Sequence, residues 1–488
     1  MSSKDRNTTQ FLSWTVILAA CAAVAASCLA VAPATRAALL PPVNLTHPKI
    51  SGIAEAGLKL RASRGSWSNG PTSYAYTWRR CNALGGSCVA ITGAVHAAYL
   101  LGSADIGRTL RVTVTASNAA GRSSAISAPT SVVKASTTVH HLEYVFNDGP
   151  VEVYDIDHPF KLVESFSLPG TTRGVRGVAV APSTHMMFVS FGGDGGGNGD
   201  GSVLAYDLVT KEVVWSVNLN SGIDSGAVSN DGKLLYMPCG ELCSTGTWNV
   251  IDTSNGAVVG AIVPNGTGPH DGVMSADGKV LLLGNRNYPY VSRYNTVTNS
   301  LQPQIGPLVG GVRPLSIDGS DHEIFTTATG FDGFQVSSSE ANSVLYTESF
   351  GAIPQLFPFS TASHGISLSP DSSEAYVVDA VQKEVQAWDV HGVGVHVAPK
   401  LVAAIPVNGL TGSEAGCAYD CGRDGWVQNT LDGRYVFVGD SGAVIEAATH
   451  TVVANIGKLL NTRKMIEIDW ANGVPIASSG RTGVGHSG

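Results

Sequence analysis

Gly226-Ala-Val-Ser-Asn-Asp231-Gly-Lys-Leu-Leu-Tyr236 decides the fold. Alternating apolar residues lead into a Ser-x-Asp-Gly turn, and a second apolar strand leaves it. Asp-Gly supplies the positive-φ position that a tight reversal between antiparallel strands requires. The phrase returns as Gly272-Val-Met-Ser-Ala-Asp277-Gly-Lys-Val-Leu-Leu282, Pro314-Leu-Ser-Ile-Asp318-Gly319, Gly365-Ile-Ser-Leu-Ser-Pro-Asp371-Ser-Ser-Glu-Ala-Tyr376 and Trp426-Val-Gln-Asn-Thr-Leu-Asp432-Gly-Arg-Tyr435. A variant, Gly177-Val-Ala-Val-Ala-Pro182-Ser-Thr-His-Met-Met-Phe188, opens the series. A second strand-turn-strand phrase follows, as in 201–214, 247–259 and 385–405, so each repeat reads as a four-stranded blade.

The turn aspartates at 231, 277, 318, 371 and 432 are 46, 41, 53 and 61 residues apart, a spacing that suits propeller blades. Period-2 alternation excludes a helical solenoid. Six repeats are legible. Residues 142–168 supply part of another, which Met465–Trp470 and Pro475–Ala477 at the chain end complete. The expectation is a seven-bladed β-propeller over 142–488, closed by pairing its first and last strands so that no sheet edge stays bare. Composition agrees with an all-β, turn-rich chain: 488 residues include 57 glycines, and only 14% are charged.

The repeats resemble the YVTN family of seven-bladed propellers, through Ser369-Pro-Asp-Ser-Ser-Glu-Ala-Tyr-Val-Val378 and Asp432-Gly-Arg-Tyr-Val-Phe-Val438. That resemblance implies the fold. Propellers of this kind include lactonase-like enzymes, quinoprotein-like electron carriers and surface-layer proteins, and no catalytic residue carries over.

Before the repeats, residues 41–135 show alternating runs at 58–62, 74–78 and 110–116, as a β-sandwich does. Gly65-Ser-Trp67, Tyr76-Thr-Trp-Arg-Arg-Cys81, Gly86-Ser-Cys88, Asp105-Ile-Gly107 and Ala116-Ser-Asn118 resemble an immunoglobulin-like module of secreted actinobacterial proteins. The resemblance implies a spacer or adhesion module; Trp67 and Trp78 themselves read as core aromatics, with carbohydrate stacking as the alternative. Residues 136–141 read as a linker ending in His140-His141, solvent-facing histidines that also have metal-ligand chemistry.

Residues 1–40 read as a targeting segment: Lys4 and Arg6, an apolar run from Phe11 to Val31, then small residues suited to cleavage. An uncleaved anchor and a lipoprotein attached at Cys21 are the alternatives. The six cysteines beyond Cys21 and Cys28 form three local pairs: Cys81 with Cys88, Cys239 with Cys243, and Cys417 with Cys421. All three pairs read as disulfides of an oxidising compartment, with a zinc site formed by Cys239/Cys243 converging on Cys417/Cys421 as the alternative. Secretion or surface display follows, with membrane contact only through the N-terminal segment. A net charge of −8 without a basic cluster gives no footprint for nucleic acid. The chain is expected to be a monomer.

Ligands of propellers sit where the inner strands begin. The residues there are Arg173 and Arg176, Asp224, His270 and Asp271, Arg313, His364, and Arg423 and Asp424. They suit an anion or carboxylate site clamped by Arg176 and Arg313, or pair with one another. His270 and His364 have the chemistry of metal ligands or bases, and Asp194 and Asp200 lie in a Gly-rich acidic loop. A divalent metal is therefore the one cofactor considered. Glu467 and Asp469 share one strand face, with Arg463 or Arg481 as expected ion-pair partner. No Gly-x-Ser-x-Gly elbow, P-loop, dinucleotide fingerprint or haem-attachment motif occurs. The expected function is an exported, noncatalytic binding or cell-surface protein for a small polar ligand or surface partner. The alternative is a lactonase-like or metal-dependent enzyme using the same ring.

Overall fold

The computed structural model describes residues 39–136, 138–193, 199–358, 361–414 and 422–480. The 1–40 targeting segment up to residue 38, Asp194 and Arg481 lie outside them. Of the three expected disulfides, two are formed among the described residues, Cys81–Cys88 and Cys239–Cys243. The third, expected between Cys417 and Cys421, is not among them, because Cys417 and Cys421 both lie outside the described residues. No described helix is long and apolar enough to cross a membrane.

The described residues from His140 onward form a β-propeller of six four-stranded antiparallel sheets and one five-stranded sheet. The recurring turn explains why. In Ser229-Asn-Asp231-Gly232 the serine hydroxyl bonds Asp231 Oδ1 at 2.7 Å and accepts the Leu234 amide at 3.0 Å, while Gly232 takes φ 71°. Ser275 does the same with Asp277 (2.9 Å) and Val280 (2.9 Å), Ser369 with Asp371 (2.7 Å) and Glu374 (2.9 Å), and Thr430 with Asp432 (2.7 Å) and Tyr435 (3.1 Å). Each hydroxyl thus satisfies the amide that opens the next strand and pins the turn aspartate.

One repeat departs from the expected register. Asp318 occupies the serine position, accepting the His322 and Glu323 amides at 2.8 and 2.7 Å, and the positive-φ residue is Asp321 rather than Gly319. Aspartate tolerates that conformation, so the turn forms without glycine there.

The five-stranded sheet is built from both ends of the propeller. His140–Phe146 pairs along its whole length with Lys464–Ala471, running from His140 opposite Trp470 to Phe146 opposite Lys464. Val151–Asp155 and Lys161–Phe166 extend it outward, and Val474–Ser478 adds a strand beyond Lys464–Ala471. His140 and His141, expected in a linker, therefore begin a strand. One packed face of the pairing is apolar, where Tyr144, Phe146, Ile466 and Ile468 join Val178 and Val180 of the neighbouring sheet in one core, while the other buries Glu143 opposite Glu467.

Three small sheets precede the propeller and pack around Trp78, Leu60, Leu110, Val112 and Val114. Trp78 is fully buried and its indole donates to the His96 carbonyl at 2.9 Å, a core role, whereas Trp67 is half-buried. The Cys81–Cys88 disulfide staples the end of Ser73–Cys81 to the loop before Val89. The Ser136 amide donates to Asn472 Oδ1 at 2.6 Å, which ties this region to the last propeller hairpin.

If the terminal pairing carries the ring, its core residues behave like central ones. Ile468, fully buried, should lose ~2–5 kcal/mol on substitution by alanine. Urea unfolding checks this; a loss below ~0.5 kcal/mol would mean that the terminal strand frays.

Candidate functional site at the channel mouth

The inner strands start at one end of the channel, and their first residues converge there. Arg176 lies in Val175–Ala181, His270 and Asp271 in Pro269–Met274, and Arg313 in Val312–Ile317. Asp224, His364 and Asp424 stand just ahead of their strands. All but Arg176 are buried.

Two charge clusters of opposite sense occupy this end. In the first, one carboxylate faces three guanidinium groups: Glu241 lies 2.7 Å from Arg313, 3.1 Å from Arg286 and 3.8 Å from Arg176. Arg176 also approaches Asp224 at 3.9 Å. Glu241 arrives on a five-residue loop closed by the Cys239–Cys243 disulfide, in which Gly240 takes φ 96°. The Gly268 amide donates to the Cys243 carbonyl at 3.0 Å and holds that loop against the neighbouring sheet. Arg286 is placed by a close backbone approach: a Cβ on Gly311 would lie 1.7 Å from the Arg286 carbonyl oxygen, so only glycine fits. Burial pushes the Glu241 carboxyl up, but Arg313, His270, Arg176 and Arg286 together hold it well below the usual range.

In the second cluster one guanidinium faces three carboxylates. Arg463 Nη1 donates to Asp424, while Nε lies 3.5 Å from both Glu414 and Asp440. Lys464 adds a contact to Glu414 at 3.9 Å. Burial opposes the charge on Arg463, and Asp424, Asp440 and Glu414 restore it, so the group stays cationic. Burial holds Asp440 well above the ordinary carboxylate range in spite of Arg463. His364 Nδ1 sits 3.1 Å from both Asp424 Oδ1 and Arg463 Nη1, and burial pushes its imidazole toward the neutral form. The clusters meet at His270 and His364, whose rings pack edge to face at 5.7 Å.

Arg173 and Arg423 stand apart from both. Arg173 pairs with Asp200 at 3.2 Å on the rim and lies over Phe191. Arg423 donates to Asn461 at 3.1 Å. Asp200 is thus engaged by an arginine and by the Gly193 amide. His270, Asp224 and Glu241 bring potential metal-ligand atoms within 4.8 Å of one another. Arginines already contact Glu241 and Asp224, so a metal ion there would compete with them for those carboxylates. His364 is committed to Asp424 and Arg463.

Four members were not expected from sequence: Glu241, Arg286, Glu414 and Asp440. Arg463 was expected to pair with Glu467 or Asp469; it turns instead to Asp424, and those two carboxylates face His141. Arg463 immediately precedes an inner strand, as His364 nearly does, so the same positional rule applied to the last strand finds it.

No family model and no curated protein matches the chain. Among solved structures, it is similar to Kuenenia stuttgartiensis hydrazine synthase at 15% identity and a TM-score of 0.45, covering 71% of this chain and 92% of that one.

The pairing has a pH signature. Glu241, with its folded pKa depressed below an unfolded value near 4.5, contributes stability that is present above that value and lost as pH falls further. Acid unfolding followed by circular dichroism should show a shallower limb below pH ~4 in Glu241→Gln than in the parent. Removing Arg463 strands buried Asp424, so Arg463→Ala should cost ~3–5 kcal/mol in urea unfolding; a cost under ~1 kcal/mol would mean the cluster is solvent-relaxed.

Proposed function

We propose that this chain is an extracytoplasmic, noncatalytic binding protein whose channel mouth receives the carboxylate of a small polar ligand. The observation that carries this is Glu241: the protein's own carboxylate sits among Arg313, Arg286 and Arg176, at 2.7, 3.1 and 3.8 Å. Guanidinium groups converging on one carboxylate are recognition chemistry for that group. Glu241 acts as an internal tenant, presented by a short disulfide loop and displaced when an external carboxylate arrives.

The scaffold in this reading is a seven-bladed ring closed by its two ends and carried on an immunoglobulin-like spacer. Support comes from the seven successive sheets of the described propeller residues, the shared terminal sheet and the sandwich-like packing around Trp78. Two disulfides fit an oxidising, extracytoplasmic environment. Export through the N-terminal segment and kinship with YVTN propellers complete the proposal, on the sequence features alone. The catalytic alternative has less support. His364, the better placed base, is enclosed by Asp424, Arg463, His270 and Trp426.

Calorimetric titration with succinate and citrate tests the reading. Glu241→Gln removes the internal competitor and should bind one of these probes about tenfold or more tightly than the parent, and adding Arg313→Gln should abolish that binding. No saturable binding to Glu241→Gln, or binding that survives loss of Arg313, would overturn it.

A further inference from the structure

At the opposite end of the channel from the arginines, the two end strands place a different set of groups together. His141 follows the first residue of the opening strand, and Glu467 and Asp469 lie two positions apart on its partner, Asp469 directly opposite His141. Their potential ligand atoms all fall within 4.8 Å of one another. His141 Nδ1 is 2.7 Å from Asp469 Oδ1 and 3.6 Å from Glu467 Oε1.

The second observation concerns Glu467. Its side chain is completely buried. Oε2 accepts the Leu431 amide at 2.6 Å, while Oε1, turned toward His141 and Asp469, has no hydrogen-bond partner among the described residues. A separation of 3.6 Å is too long for a hydrogen bond from His141. The cation that faces Oε1 is the protonated His141 imidazole at 3.6 Å, an ion pair without a hydrogen bond, and a metal ion would take that proton's place. In contrast to the channel mouth, no described lysine or arginine pairs with Glu467 or Asp469. Asp469 also lines a channel cavity of about 510 Å³, so the cluster has a solvent-side approach.

We propose that His141, Glu467 and Asp469 form a binding site for a first-row divalent cation of the zinc, cobalt or manganese kind. One imidazole with two carboxylates is a donor set those ions accept, whereas calcium and magnesium favour oxygen alone. Three protein ligands leave coordination positions open toward the cavity, where water or a ligand atom completes the shell. The ion also ties His140–Phe146 to Lys464–Ala471, and so clamps the closure.

Titration of the full-length, metal-stripped protein with Co2+, followed by its visible ligand-field absorption, tests the proposal. The expected result is one saturable equivalent per chain, weakened about tenfold or more in both His141→Gln and the isosteric Asp469→Asn. His158→Gln, at an exposed histidine paired with Asp155, should bind as the parent does. Circular dichroism confirms that each variant is folded, and Asp469→Asn decides the matter if His141→Gln is not. No saturable binding by the parent, unchanged affinity in folded Asp469→Asn, or loss confined to His270→Gln would each overturn the site.

Discussion

The antiparallel pairing of His140–Phe146 with Lys464–Ala471 is the constraint on which the rest depends. It joins residues more than three hundred positions apart, so its loop-closure entropy is large and must be met by burial and hydrogen bonding. The apolar set of Tyr144, Phe146, Ile466 and Ile468 meets part of that cost by packing against the next sheet. It also removes the exposed edges that an open set of sheets would present.

The same pairing builds both polar ends of the channel. Arg463 stands immediately before Lys464–Ala471 and is carried to the mouth, where it answers Asp424, Asp440 and Glu414. Farther along that strand Glu467 and Asp469 meet His141. The Glu241 cluster at the mouth and the His141 cluster at the far end then differ in sign. Around Glu241 guanidinium groups outnumber carboxylates that pair with them; around His141 the balance is acidic. Buried charge of either sign needs a partner, and the protein supplies Glu241 from a loop for one end.

The repeat and its four-stranded unit were legible because each turn solves a local problem with local residues. Ser229, Ser275, Ser369 and Thr430 each bond an aspartate two positions on and an amide five positions on, a pattern that needs no knowledge of the fold. Asp318 was misaligned because aspartate can take the serine's place and Asp321 the glycine's, which breaks the motif without breaking the turn. Arg176, Asp224, His270, Arg313, His364 and Asp424 were found by position before an inner strand. Arg173 and Arg423 satisfy that rule equally but turn to Asp200 and Asn461, since side-chain direction is settled by neighbours outside the repeat. Glu241 and Arg286 belong to no repeat position. Glu241 reaches the arginines through a disulfide loop, and Arg286 through the absent side chain of Gly311, contacts that exist only once the sheets are assembled.

Native-state hydrogen exchange tests the central claim most directly. If the terminal pairing closes the propeller, amides of 140–146 and 464–471 that bond across the pair should exchange only through global unfolding, as slowly as those of the central strand Glu374–Asp379. Exchange of the 464–471 amides at rates of a fraying terminus, with Glu374–Asp379 still protected, would contradict it.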